Sequence, residues 1–300
     1  MSLTSPTEQS QVEKGTSLYA DAWRRLRRNR AAVVGACLLV LIVLACIVGP
    51  LLTGMGTDTT RPEDAFLAPS SEHPFGTDSL GRDYLTRVLA GGRTSLLIGL
   101  VATLVCVLVG TLYGAVAGYY GGRLDEIMMR FVDFFYGIPY MFLVILIMVK
   151  VQGDQAQKAS IVPVFLALGL VQWLAMARIV RGQVLTLRDQ EYVLAARLTG
   201  ASDGRIILRH ILPNVLGIVI IYATLTVPAV ILLESFLSFL GLGLELSWGV
   251  VVSEAVNAVN PVRAYWWMLL WPSVFLVVTL LSLNFLGDGL RDAFDPKSRR

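Results

Sequence analysis

Lysine is scarce in this 300-residue chain, which has only Lys14, Lys150, Lys158 and Lys297. None of the four follows a glycine, so no Gly-Lys-Ser/Thr turn is available to cradle a nucleotide phosphate. Histidine is scarcer still. His73 and His210 are isolated and leave no zinc-type pair. Cys37, Cys46 and Cys106 lie inside apolar runs without ligand spacing, and they read as small packing residues, with no disulfide and no metal expected. There is no nucleophile elbow and no convincing catalytic carboxylate pair, so the chain reads as a conduit and not as an enzyme. Charge is low as well, at 16% of residues, where a soluble chain carries about 25%. The net charge of +3 gathers into no basic domain, and no nucleic acid partner is expected.

What the chain has instead is apolar sequence, 55% of all residues, gathered into runs. Six of these runs approach or exceed the ~20 residues that a helix needs to cross a bilayer. They are Ala31–Leu52, Thr94–Tyr119, Ile127–Val149, Ser160–Ile179, Val215–Leu240 and Trp266–Leu286. The pattern predicts an all-α polytopic membrane protein with six transmembrane helices. Of the 25 Lys and Arg residues, 18 fall in the N-terminus, the 120–130 and 178–209 loops and the C-terminal tail. The positive-inside rule therefore places both termini in the cytoplasm. Residues 1–30 read as a cytoplasmic segment, polar and mobile to Gly15, then a basic interfacial helix. Leu18, Ala22, Trp23 and Leu26 face lipid in this reading, and Arg24, Arg25, Arg27, Arg28 and Arg30 face headgroups. The first span covers 31–52, an extracytoplasmic segment 53–93, a five-helix core 94–290 and a cytoplasmic tail 291–300.

Several local features are expected within this frame. Gly110, Gly114 and Gly118 recur every four residues and should form a seam with another helix. Arg130 and Asp133 are three apart and should pair, and Pro139 allows a kink in the third span. Glu234 stands inside the fifth span, where an ionised group costs about 2.5–3.5 kcal/mol. It is a candidate pathway or gate residue together with Asp133, or else a structural partner of Arg93. Trp266, Trp267 and Trp271 should form an interfacial belt. In the outer segment, Asp78, Arg82 and Asp83 should form an ion-pair cluster among turn-forming Pro74, Gly76 and Gly81.

One polar, basic stretch interrupts the apolar pattern, residues 187–214. It reads as two short helices with a hinge, with Tyr192, Ala195, Ala196 and Thr199 on one face. Gly200 can close the first helix, Ser202 or Asp203 can cap the second, and Pro213 can end it. This stretch resembles the EAA loop of ABC importer permeases, a pattern E-A-A-x-x-x-G, nine residues, then I-x-L-P. Ala195-Ala196, Gly200 and Leu212-Pro213 fall in register. Leu194 stands in place of the Glu and His210 in place of the Ile, and Glu191 is the nearest acidic residue. The outer stretch around Pro74–Asp83 resembles the PFGTDxLGRD signature of C-type subunits of peptide and nickel permeases. Leu246-Ser247-Trp248-Gly249 with Glu254-Ala255, and the closing GDGLRDAFDP, resemble the same subunits.

The resemblance implies a type I ABC importer permease (MetI-like) core in a bacterial inner membrane, with the 188–213 loop as its coupling helix. It implies a homologous B-type permease, two ATPase subunits carrying ATP and Mg, and an extracytoplasmic binding protein as partners. The implied cargo is a di- or oligopeptide, with nickel or another small solute as the alternative. The implied coupling residues are Glu191, Tyr192, Ala195, Ala196, Gly200, Leu212 and Pro213. Asp78, Arg82, Asp83 and Trp248 are the implied contacts of the binding protein.

Overall fold

The computed structural model describes residues 18–153, 161–243, 246–258 and 264–294. The expected mobile segment 1–15, Ser160, Glu245 and the end of the tail lie outside these residues. Among the described residues the elements are helical, apart from one antiparallel bridge between Thr77 and Asp83.

Helix α1, Leu18–Arg28, leads through Asn29 into α2, Arg30–Leu52. The Asn29 side-chain oxygen accepts the Ala32 N–H, which caps α2. Ala22 is buried, and Leu26 packs beside Gly289 at the far end of the chain. These two residues therefore face another helix, not lipid. Trp23 keeps a largely exposed apolar ring.

Helix α3, Tyr84–Tyr120, has 37 residues and starts ten positions before the expected span. At 1.5 Å per residue it is ~55 Å long, more than a bilayer core needs. Its glycine seam meets α6, Ile161–Leu187: a methyl group on Gly114 would come within 2.3 Å of the Ala177 carbonyl oxygen. Gly110 and Gly118 press on Met176 and Val184 of the same helix. Between α3 and α6 the expected third span is broken. Helices α4, Gly122–Tyr136, and α5, Tyr140–Gly153, are bent by 81° at the break. Pro139 bars its predecessor from helical geometry and lacks an N–H, so the chain turns there and does not merely kink.

Helix α7, Glu191–Leu198, and the single turn α8, Asp203–Ile206, precede a π-helical turn, Ile207–Ile211, and α9, Leu212–Phe239. Contrary to expectation, Pro213 ends nothing, because residues 203–239 form one long helix. The Leu212 N–H bonds the Ile207 carbonyl, five residues back. This wider turn gives the Pro213 ring room that a regular α-turn denies it. Pro228 likewise sits inside the continuous α9. Helix α10, Trp248–Ala258, and α11, Trp266–Phe294, complete the chain.

Among the described residues four helices are long and apolar enough to cross a membrane, Arg30–Leu52, Tyr84–Tyr120, Asp203–Phe239 and Trp266–Phe294, or five if the bent pair α4 and α5 counts as one span. The two sides are defined by contacts between helix ends. Thr86 of α3 bonds Thr53 at the end of α2, and the Tyr84 hydroxyl donates to the Met268 carbonyl of α11. These ends gather on one side, which the distribution of Lys and Arg makes the outer one, and outer and inner are used in that sense. On the inner side Gly289 meets Ala32, Phe294 meets Gly217, and Tyr119 bonds Asp203.

Candidate functional site

The inner side presents α7 as a short helix on a fixed base. Val193 and Ala196 point inward and join a buried cluster with Tyr119, Val184, Ile206 and Ile211. Ala196 is therefore buried while Tyr192 and Ala195 stay exposed, and Val193 is the inward residue that periodicity overlooked. The helix closes in a Schellman turn: Gly200 N–H bonds the Arg197 carbonyl and Ala201 N–H bonds the Ala196 carbonyl, both at 3.1 Å. Gly200 adopts φ +80°, where a side chain is strained. Glu191, Tyr192, Leu194, Ala195, Leu198 and Gly200 all face outward, and Leu198 is 89% exposed. Pro213 is exposed, and Leu212 is half-buried and packs against the same cluster.

Three contacts tie this loop to the inner end of α3. Arg188 donates to the Gly118 carbonyl at 3.2 Å, and the Tyr119 hydroxyl donates to Asp203 at 2.7 Å. Arg197 lies over the Tyr119 ring at 5.5 Å. Hydrogen bonding with Tyr119 raises the Arg197 pKa above its ordinary value, so the guanidinium stays a cation. Asp203 is committed to Tyr119, and neither Ser202 nor Asp203 caps α8 through its side chain.

Asp133 does not pair with Arg130. Arg130 bonds Glu126 at 2.6 Å, one turn back, and Asp133 bonds Arg178 of α6 at 2.6 Å. Arg178 also lies 4.1 Å over the Tyr136 ring. Both members of the Asp133–Arg178 pair are exposed, next to outward-facing Phe131, Phe134, Tyr140 and Phe142. One turn nearer the loop, Arg181 grips buried Asp125 with two bonds of 2.8 and 2.6 Å. Such a planar fork fixes α4 against α6 in one orientation.

Glu234 is 1% exposed and has no cationic partner among the described residues; Arg93, its expected structural partner, is exposed. Its carboxyl accepts from Ser238 at 2.6 Å and from Ser95 of α3 at 3.1 Å. Ser95 in turn accepts the Trp248 backbone N–H at 3.1 Å, and Ser247 donates to Ser238 at 3.1 Å. The Trp248 indole donates to the Val88 carbonyl of α3 at 2.9 Å. Glu234 is thus the acceptor at the joint of α3, α9 and the start of α10.

The outer segment is built on buried polar groups. Asp78 accepts the N–H groups of Leu80 and Arg82, and also the Arg82 Nε at 2.6 Å. Arg87, on the first turn of α3, lies between Asp78 at 3.3 Å and Glu254 of α10 at 2.6 Å. Asp83 caps α3 through Thr86 and bonds His73 at 3.0 Å, so it stands apart from the Asp78–Arg82 pair. Gly81, at φ +70°, passes so close to the Arg61 carbonyl that any side chain would collide with it. Asp78, Asp83 and Trp248 are buried within the chain, so these expected binding-protein contacts support the outer surface from beneath. Two members of the expected aromatic belt behave likewise. Trp267 is buried and donates to the Thr77 carbonyl, and Trp271 stacks on Phe75 at 4.1 Å. Trp266 alone of the three is exposed.

Residues 110–300 match the family model described as binding-protein-dependent transport system inner membrane component. The chain belongs to that family. Residues 17–69 match the N-terminal TM domain of oligopeptide transport permease C. The oligopeptide transport system permease protein OppC of Escherichia coli K12 is 50% identical over 300 residues, covering 98% of this chain and 95% of that protein. The dipeptide transport system permease protein DppC of Bacillus subtilis is 44% identical over 297 residues, covering 98% and 90%. Among solved structures, the MetNI methionine ABC transporter in inward-facing conformations aligns with TM-score 0.57 at 18% identity. It covers 69% of this chain and 96% of that one, and it establishes the shared fold.

This inner-membrane permease thus carries its family loop on a base that only the structure displays. Sequence reasoning missed Val193, Ser95, Asp125 with Arg181, and Glu254. Glu234 and Ser238 were legible as i,i+4 neighbours on one helix face. The others gain their meaning from residues 56 to 167 positions away.

Proposed function

We propose that this permease is one of two homologous membrane subunits of an ATP-driven di- or oligopeptide importer. The observation that carries the reading is the exposed face of α7, in a chain 50% identical to an oligopeptide permease. Leu194, Leu198 and Tyr192 form an apolar surface on the inner side that none of the described residues covers. An ATPase groove is the partner of fitting chemistry, and ATP and Mg belong to two such ATPase subunits. An extracytoplasmic binding protein delivers the peptide to the outer side. The six-span count belongs to this reading, with α6 as the sixth.

The geometry supplies a mechanism for the coupling. Movement of α7 carries the inner end of α3 with it, through Arg188, Arg197, Tyr119 and Asp203. Helix α3 contains no proline and runs unbroken to the outer side. There Ser95 and Val88 hold α10, so displacement at the ATPase reaches the outer end as a rigid-body rocking.

Uptake of labelled di-, tri- and pentapeptides into cells lacking only this chain tests the reading, with nickel measured in parallel. The account expects peptide uptake to vanish, to return with wild type, and to stay absent with Gly200→Val. Undiminished peptide uptake in a strain with no second peptide importer would overturn it.

A further inference from the structure

We propose that the inner corner between α1, α2 and α11 is a binding site for the phosphate of an anionic phospholipid headgroup. A cavity of about 370 Å³ opens there, lined by Arg25, Arg28, Asn29, Gly289, Asp292 and Ala293. Its depth in the membrane follows from the chain. The apolar span α2 begins at Arg30, directly after Asn29, so the cavity lies where the chain leaves the hydrocarbon for the headgroups. Trp23 marks the same level. It is 54% exposed, and Arg27 lies over its ring at 4.9 Å, an amphipathic pairing suited to the interface.

The walls are fixed in place. Ala22 is buried against the body of the protein, and a methyl group on Gly289 would sit 3.2 Å from Leu26 and 2.3 Å from Ala32. The α1 helix is therefore seated on α11, and the two arginines project from a held surface. The chemistry of the lining favours an anion. Two guanidinium groups face one carboxylate, Asp292, which leaves the cavity positive. The Asn29 side-chain oxygen is occupied by the Ala32 N–H, so its amide nitrogen remains to donate. A guanidinium fork matches two phosphate oxygens at once. A zwitterionic headgroup would bring an ammonium against the same arginines, so phosphatidylglycerol should bind in preference to phosphatidylcholine. A lipid held there would bridge α1 to the end of α11.

Arg24 provides an internal control. It belongs to the same helix and carries the same charge, but it does not line the cavity. The test uses the full-length chain with its copurifying partner subunits, reconstituted in nanodiscs of equal phosphatidylglycerol and phosphatidylcholine. Lipid retained after detergent extraction is measured by native mass spectrometry. The wild type should retain phosphatidylglycerol selectively. Arg28→Gln should reduce that retention about tenfold, the effect of one lost charge-assisted phosphate contact, and Arg24→Gln less than about twofold. Arg28→Lys should fall between, because it keeps charge and loses the fork. Equal losses in Arg24→Gln and Arg28→Gln would reduce the corner to a smeared basic surface and overturn the proposal. Equal retention of phosphatidylcholine, or displacement of the lipid by millimolar inorganic phosphate, would also overturn it.

Discussion

Replacing Glu234 by leucine should loosen the outer end of the permease without unfolding it. The carboxyl accepts from Ser95 and Ser238, and both hydroxyls are buried. Leucine accepts from neither. Each orphaned hydroxyl costs about 1–3 kcal/mol, and the two share one network, so the penalties will not simply add. Ser95 is also the acceptor for the Trp248 N–H at the first residue of α10. Once Ser95 can rotate, that seat weakens. A local loss of about 2 kcal/mol raises the open fraction roughly thirtyfold. Hydrogen exchange by mass spectrometry on peptides spanning 246–258 reads this directly. Exchange should accelerate there and at the outer end of α3, and stay unchanged in α7. Glu234→Gln keeps one acceptor oxygen and the shape of the side chain, so its acceleration should be the smaller. Wild-type exchange of the α10 peptides in Glu234→Leu would refute the idea that this carboxyl holds the joint.

Three further outcomes follow from the same packing. Gly114→Leu forces a side chain into the Ala177 carbonyl and should destabilise the α3–α6 seam by at least the 1–3 kcal/mol of an overpacked core; melting of the purified complex checks this. Glu254→Gln keeps an acceptor oxygen but leaves Asp78 as the one carboxylate paired with buried Arg87 among the described residues, and should cost about 2 kcal/mol in the same assay, whereas Glu126→Gln on an exposed pair should cost under about 1 kcal/mol. Asp83→Ala removes the cap of α3 and the partner of His73 together, so it should cost about 1–2 kcal/mol and speed proteolysis of the 53–83 segment.

The apolar runs behind α2, α3, α9 and α11 were legible because bilayer thickness writes itself into run length, and α2 begins within one residue of its expected start. The early start of α3 was hidden. Arg87 and Arg93 read as loop charges, and only the fold brings Glu254 from 167 residues away to neutralise Arg87. Pro213 reads as a helix stop in any local rule, and the π-turn that accommodates it leaves no compositional mark. Pro139 announced a bend, but its 81° extent depends on how α4 docks on α6 through Asp125 and Arg181. Trp267 and Trp271 looked like belt residues because their partners, Thr77 and Phe75, sit in a segment with no regular structure of its own. The loop at α7 was the most readable part, since its turn chemistry is local. Which of its two alanines faces inward was not, because that depends on the Val193 side of the helix meeting the inner core.

In the proposed importer, ATP hydrolysis drives peptide entry by acting on the exposed face of α7. The most direct test is labelled-peptide uptake into proteoliposomes holding the assembled importer, with binding protein and peptide outside and ATP inside. Wild type is compared with Leu198→Asp, which places a charge on the most exposed apolar position of that face. The account predicts ATP-dependent uptake by wild type, and its loss in a variant whose two membrane subunits still assemble. Uptake that needs no ATP, or a Leu198→Asp importer that works as well as wild type, would contradict it.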